Sequence, residues 1–206
     1  MHKFIKTPCN ITVSGSNGSG KSHFIKYLIT SFMNSDRKFD VIIIFSNTAG
    51  FNGDYDDVTG AKKFIFSPIY YEDVLRFVMK TQAINKKNGI ERQVLMIFDD
   101  ICGSIKDSKT MKMLMTQNRH FYCTIIFAVQ YINLTPPYLR EVSYYDIIFE
   151  LKSENSLKSC YNNYFIGDFD NFADFKKKIV NLLQKHQFLF ADRITHTKKI
   201  MICPTS

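Results

Sequence analysis

Residues 15–22 read Gly-Ser-Asn-Gly-Ser-Gly-Lys-Ser and match the pattern G-x-x-x-x-G-K-S/T without a mismatch. Such an octapeptide works only between a strand and a helix, where the chain curls directly from one into the other. Both flanks are present. Residues 9–14 form a short apolar run, with Pro8 tolerated at its entrance, and predict a buried strand. The spacing of Phe24, Ile25, Leu28 and Phe32 predicts a helix over 21–33. In this context Gly15, Ser16, Asn17, Gly18, Ser19 and Gly20 form a cradle whose backbone N–H groups face phosphate oxygens. Lys21 reaches the β- and γ-phosphates, and the Ser22 hydroxyl takes one position on Mg²⁺. The ligands implied are ATP and Mg²⁺.

A second chemical stretch follows at 94–100, Val-Leu-Met-Ile-Phe-Asp-Asp. An apolar strand ending in two acids suits a hydrated cation and an activated water. Asp99 is the metal residue, through water, and Asp100 the general base. A base directly after the metal aspartate, with an extra strand between the loop strand and this one, favours the additional-strand ATPases over GTPases and nucleotide kinases. In an open parallel sheet the loop and both acids would share the carboxyl edge. A further buried strand at 124–129 ends on Gln130, whose amide at the tip of a central strand can sense the γ-phosphate or orient water.

The remaining elements alternate in the manner of an α/β chain. Strands are predicted at 41–45, 64–66 and 146–151. Helices are predicted at 71–84, with Val74, Leu75, Phe77 and Val78 inward, and at 105–117, with Met111, Leu114 and Met115 as its apolar stripe. The segment 46–63, rich in Gly, Asn and Asp, reads as a surface loop. Beyond 152, Ser153 can cap a helix bearing Leu157, Cys160, Tyr161 and Tyr164. Asp170 can start another through Phe172, Phe175, Ile179, Leu182 and Leu183, with Lys176, Lys177 and Lys178 on its exposed face. A hairpin at 187–190 and 198–202 could finish the sheet.

The chain's 206 residues suit one domain, with a core at about 8–151 and C-terminal helices and a hairpin at 152–206. Hydrophobic residues make up 45%, which is a globular composition. Cys9, Cys102, Cys123, Cys160 and Cys203 contain no close pair, which argues against zinc sites and disulfides and for core fillers. No run of about 18 apolar residues exists, so no transmembrane segment is expected, and the first residues lack a signal peptide's apolar core. An intracellular or particle-bound protein is expected. The net charge of +8 suits a polyanionic partner, because Lys and Arg contacts to phosphate supply most non-specific nucleic-acid affinity.

Taken in order, the loop at 15–22, the acidic strand at 94–100, Arg119-His120 before a strand closing on Gln130, and Leu134-Thr-Pro-Pro-Tyr-Leu-Arg140 before Tyr145-Asp-Ile-Ile-Phe149 resemble the viral genome-packaging ATPases of the FtsK-HerA superfamily. The resemblance covers about residues 8–151. It implies an α/β P-loop NTPase fold with a RecA-like, additional-strand core, a three-layer sandwich around a mostly parallel sheet. It also implies ATP hydrolysis between subunits of a homo-oligomeric ring and translocation of double-stranded DNA into a preformed capsid. Capsid or internal virion membrane proteins would be further partners. The implied location is the infected host cell cytoplasm, at the virus factory, and the virion. By the same likeness Arg119 is the first candidate for an arginine finger acting on a neighbour's nucleotide, and Arg140 the second. Many relatives have glutamate after the metal aspartate, and Asp100 is one methylene shorter.

Two other functions share the phosphate loop. A nucleotide or small-molecule kinase should carry an arginine-rich lid, whereas Arg119 is the one arginine between Asp100 and Gln130. A regulatory nucleotide-binding module would assemble partners and hydrolyse slowly.

Overall fold

The β-branched and aromatic runs at 41–46, 94–99 and 123–129 become strands here because both of their faces find apolar partners to cover them. A computed structural model describes residues 4–101, 108–132, 135–183 and 187–203. Its elements are β1 (Asn10–Ser14), α1 (Lys21–Met33), β2 (Val41–Ser46), α2 (Ala49–Asn52), β3 (Lys62–Phe66), α3 (Tyr71–Lys87), β4 (Val94–Asp99), α4 (Lys109–Thr116), β5 (Cys123–Val129), α5 (Pro137–Glu141), β6 (Tyr145–Ile148), α6 (Glu154–Cys160), α7 (Phe172–Leu182), β7 (Gln187–Asp192) and β8 (Thr197–Ile202). They build one eight-stranded sheet in the order β3-β2-β4-β5-β1-β6-β7-β8. Every pairing among β1 to β6 is parallel, and β7 and β8 are antiparallel. Strand β5 lies between the loop strand β1 and the acidic strand β4, as the additional-strand reading requires.

The period of two along β2, β4 and β5 sorts their side chains between two cores, while β6 and β7 share a third with α6 and α7. Ile42, Ile44, Leu95 and Ile97 join Ile11 and Val13 against Phe24, Ile25, Leu28 and Phe32 of α1. Their neighbours Ile43, Phe45, Met96 and Phe98 face the other way, against Leu75 and Val78 of α3 and Met111, Leu114 and Met115 of α4. The result is three layers. On the second face Phe45, Phe98 and Phe127 stack across β2, β4 and β5 with ring centroids 4.9 and 4.7 Å apart. Such aromatic cross-strand pairs hold the register of three neighbouring strands.

Helix α1 occupies the residues its spacing predicts. Helix α3 extends three residues further than predicted and buries Leu75, Val78, Met79 and Gln82, a stripe at i, i+3, i+4 and i+7. Phe77, expected inward, is 69% exposed because it lies two positions from Leu75 and so points away from the sheet. Gln82 takes an inward place instead, and its amide donates to the carbonyls of Arg92 and Phe121 at 2.7 Å each. The predicted helix over 105–117 is described from Lys109, capped by the Ser108 hydroxyl, which accepts from the Met111 amide. Its first residues lie outside the described ones.

The segment 46–63 differs from a plain surface loop. It carries α2 and buries Ala49, Tyr55 and Val58 in the α1-side core. Beyond β6, Ser153 caps α6 as expected. Asn171, rather than Asp170, caps α7, which buries Phe175 and Ile179 while Leu182 stays 45% exposed at its end. The predicted hairpin is present as β7 and β8 and completes the sheet beside β6. Cys9, Cys123, Cys160 and Cys203 are buried free thiols, in keeping with core fillers, and burial pushes their acidity well down. Cys102 lies outside the described residues.

One ionic contact ties the hairpin to the parallel sheet. Asp146 of β6 is fully buried and accepts from the Thr12 hydroxyl of β1 and from Nε of Arg193, in the β7–β8 turn. Arg193 also lies over the Tyr164 ring, 4.9 Å from its centroid. A buried carboxylate left without its cation is costly, so Arg193→Ala is expected to lower unfolding stability by about 3 kcal/mol in urea denaturation.

Candidate nucleotide site

The phosphate loop leaves β1 at Ser14 and is pinned between the ends of two neighbouring strands. The Gly15 amide donates to the Val129 carbonyl at 3.2 Å, and the Ser16 amide to the Glu150 carbonyl at 2.9 Å. The Ser16 hydroxyl accepts from the Lys152 amide at 2.9 Å. A β-carbon on Gly15 would stand 2.6 Å from Phe149 Cβ and 2.7 Å from Ser19 Oγ, so only hydrogen fits there. Gly20, at φ 100°, makes the left-handed step that opens α1, whose first turn holds no acidic residue. The helix thus brings no carboxylate of its own to its positive end, which suits an anion.

Lys21 sits within the curl of the loop, its Nζ donating to the carbonyls of Gly15 at 2.7 Å and Ser16 at 3.1 Å. Burial lowers its pKa, while the carboxylates of Asp100 and Asp99 act in the opposite direction. Those two acids arrive at the same edge because β4 is carried there by its pairing with β5, where Asp99 stands opposite Ala128. Burial raises the pKa of Asp99, opposed by a hydrogen bond from the Tyr55 hydroxyl to Oδ2 at 3.0 Å. Asp100 adopts φ 57°, a left-handed conformation that costs a residue with a β-carbon about 1 kcal/mol, and its amide donates to the Ala128 carbonyl at 3.0 Å. This turn directs the carboxylate to Gln130, whose Nε2 donates to Oδ2 at 2.6 Å.

The loop, Lys21, both acids and Gln130 therefore converge at the carboxyl edge of the central strands. Ser22, the second residue of α1, is exposed. A serine hydroxyl and an aspartate carboxylate are hard oxygen donors of the kind Mg²⁺ takes, and the glycine-lined curl fits a phosphate chain. Among the described residues no group of three or more His, Cys, Asp or Glu could hold a metal alone. A cation here would share its ligands with phosphate.

The two arginine candidates lie elsewhere. Arg119 belongs to a 3₁₀ turn, Asn118–Phe121, before β5, and is exposed with its guanidinium 5.0 Å from the Tyr144 ring centroid. It stands at the amino edge, the length of β5 away from its own loop, or about 20 Å at strand rise. Arg140, in α5, donates to the carbonyls of Thr135 at 2.6 Å and Ile132 at 3.5 Å. Those carbonyls precede α5, so it braces the segment after Gln130 instead of closing its own helix end. Leu134, in the motif before it, lies outside the described residues.

Sequence reasoning missed Tyr55, fully buried beside Asp99. Its surroundings of Gly, Asn and Asp read as solvent-exposed, and its one visible signal is an aromatic residue within that polar run.

A family model described as "Poxvirus A32 protein" matches residues 1–203. The genome packaging NTPase B204 from Sulfolobus turreted icosahedral virus 2, in complex with AMPPCP, superposes with a TM-score of 0.72 at 19% identity, covering 97% of this chain and 100% of that one. B204 from Sulfolobus turreted icosahedral virus, described as a DNA-packaging ATPase, gives 0.70 at 20% identity over 96% and 98%. EssC (ATPases 2 and 3) from Geobacillus thermodenitrificans gives 0.65 at 13% identity, covering 95% of this chain and 39% of that one. No curated protein sequence matches. These structural likenesses carry the fold, an α/β P-loop arrangement around a mostly parallel sheet.

Because only hydrogen fits at Gly15, Gly15→Ala must displace the loop from Phe149. The rate of ATP hydrolysis is expected to fall about a hundredfold in a steady-state assay, the scale of an ångström-sized misplacement.

Proposed function

Because the chain belongs to the poxvirus A32 protein family, we propose that it is an ATP-hydrolysing DNA translocase that packages double-stranded viral DNA into a preformed capsid. The observation that carries this reading is the meeting of Lys21, Asp99, Asp100 and Gln130 at one sheet edge, with β5 between the strands that supply the loop and the acids. This arrangement is built to activate water against a phosphate chain.

In this reading residues 15–20 hold the phosphates through backbone amides, and Lys21 neutralises charge on the β- and γ-oxygens. Ser22 and, through water, Asp99 would hold Mg²⁺, which when bound would supply further neutralisation of charge on the phosphates. Asp100 accepts a proton from water as the water oxygen bonds to the γ-phosphorus and the bond to the β–γ bridging oxygen breaks, giving ADP and phosphate. Gln130 already holds one oxygen of Asp100, and this contact orients the base toward its water.

Arg119 completes the site only from a neighbouring subunit, since it is exposed and remote from its own loop. A head-to-tail ring would bring one subunit's amino edge to the next one's nucleotide. Arg140 is committed to the segment after Gln130 and serves there as a brace. The DNA partner is supported by the net charge of +8, with Lys176, Lys177 and Lys178 exposed on α7. The whole chain acts as one ATPase domain in the infected cell, at the virus factory and on the assembling particle. Capsid or internal virion membrane proteins provide the dock. Among the described residues no helix is long and apolar enough to cross a membrane. The kinase reading lacks its lid, because the one arginine between Asp100 and Gln130 stands at the wrong edge of the sheet.

The deciding experiment is ATP hydrolysis with and without double-stranded DNA, with light scattering on the same samples. Stimulation by DNA in a ring-sized oligomer is expected, and a DNA-indifferent monomer would overturn the translocase reading. Lys21→Ala should abolish tight ATP binding. Arg119→Ala should keep ATP affinity and lower turnover about a thousandfold, the usual worth of an arginine supplied in trans. Mixing Arg119→Ala with Lys21→Ala subunits should restore some turnover, and an absence of rescue would count against the finger.

A further inference from the structure

The segment between β2 and β3 is the part of the molecule whose structure departs most from its composition. It sends a fully buried tyrosine into the α1-side core, where Tyr55 packs among the side chains beneath the phosphate-loop helix. The ring is fixed by that burial, and its single polar atom meets the acid strand by donating to Asp99 Oδ2 at 3.0 Å. The backbone around it is also tied down. Lys63 of β3 donates to the Tyr55 carbonyl at 2.6 Å and to the Asp56 carbonyl at 3.2 Å. Lys26 of α1 pairs with Asp57 at 3.2 Å. Tyr55 is thus held from three directions, by the core, by β3 and by the helix that follows the phosphate loop.

We propose that Tyr55 is a positioning residue for the metal-site aspartate: it fixes the rotation of the Asp99 carboxylate by occupying Oδ2 and leaves Oδ1 to face the hydrated cation. The inference rests on the reading of Asp99 as the residue that holds Mg²⁺. A carboxylate free to rotate presents its oxygens in many orientations, whereas octahedral Mg²⁺ with its waters accepts few. Partners that orient a metal-binding group in this way influence affinity although they never touch the ion, and their loss costs about 10–100-fold in metal affinity or activity. The contact also links two parts of the site. The segment that holds Tyr55 is bound to α1 through Asp57 and Lys26, so the metal aspartate and the phosphate loop are braced by one piece of chain.

The test is the Mg²⁺-dependent gain in affinity for a non-hydrolysable ATP analogue, measured by calorimetry in Mg²⁺ and in EDTA. Binding of Mn²⁺ in the presence of the analogue, read by electron paramagnetic resonance, provides a second measure. Wild type, Tyr55→Phe and Asp99→Asn are compared, with thermal melting to establish that each is folded. Tyr55→Phe keeps the ring that fills the core and deletes the hydroxyl alone. It is expected to bind the analogue normally in EDTA, to lose about tenfold of the Mg²⁺-dependent gain, and to weaken Mn²⁺ binding to match. A Tyr55→Phe protein whose Mg²⁺ gain and Mn²⁺ affinity equal wild type, while Asp99→Asn loses both, would overturn the positioning role and leave the metal site standing. If Asp99→Asn also keeps the gain, the reading of Asp99 itself fails, and the proposal for Tyr55 falls with it.

Discussion

The parallel register of β1, β4 and β5 is the constraint on which the site depends. Ser14 stands opposite Val129, and Ala128 opposite Asp99, so the strand that launches the phosphate loop, the strand that ends in Gln130 and the strand that ends in two acids all finish at one level. Parallel pairing gives this alignment because every strand points the same way and its chemistry can sit at its carboxyl end. A slip of one residue would turn every core side chain to the opposite face. The apolar cores on the two faces of these strands, with the stacked rings of Phe45, Phe98 and Phe127 on one side, therefore fix the geometry of the candidate site as well as the fold.

Burial at that edge sets the electrostatics. Lys21 and Asp99 are both partly withdrawn from water, and withdrawal alone disfavours the charged form of each. They oppose that effect in each other, and Tyr55 supports the carboxylate with a hydrogen bond. Lys21 meanwhile places two of its three donors on the carbonyls of Gly15 and Ser16. A cationic loop beside two acids forms a site prepared for a polyanion accompanied by a divalent cation, since each group then finds an opposite charge.

The arginines show how far position outweighs residue type. Arg119 and Arg140 are chemically equal candidates to complete the site, but the fold separates them. One is exposed at the amino edge over Tyr144, and the other is folded back on the carbonyls of Thr135 and Ile132. A guanidinium already holding backbone carbonyls has fewer donors free for a phosphate than one lying exposed on a ring face.

Local pattern was enough for much of this protein. The phosphate loop, the acidic strand, the range of α1 and the alternating α/β order follow from residue spacing, because loop, strand and helix periods act over a few residues. The outward turn of Phe77, the buried place of Gln82 and the inward course of Tyr55 do not follow from it. Each depends on which neighbouring element lies against it, and composition around Tyr55 points the other way. Residue order alone places a glycine-rich phosphate-type loop and an apolar strand ending in two acids in this chain. Tertiary structure decided which groups meet, pairing Gln130 with Asp100 and Tyr55 with Asp99 across gaps of 30 and 44 residues and sending Arg119 to the far edge. Such contacts are set by strand order and register, which exist only once the sheet has assembled against its apolar cores.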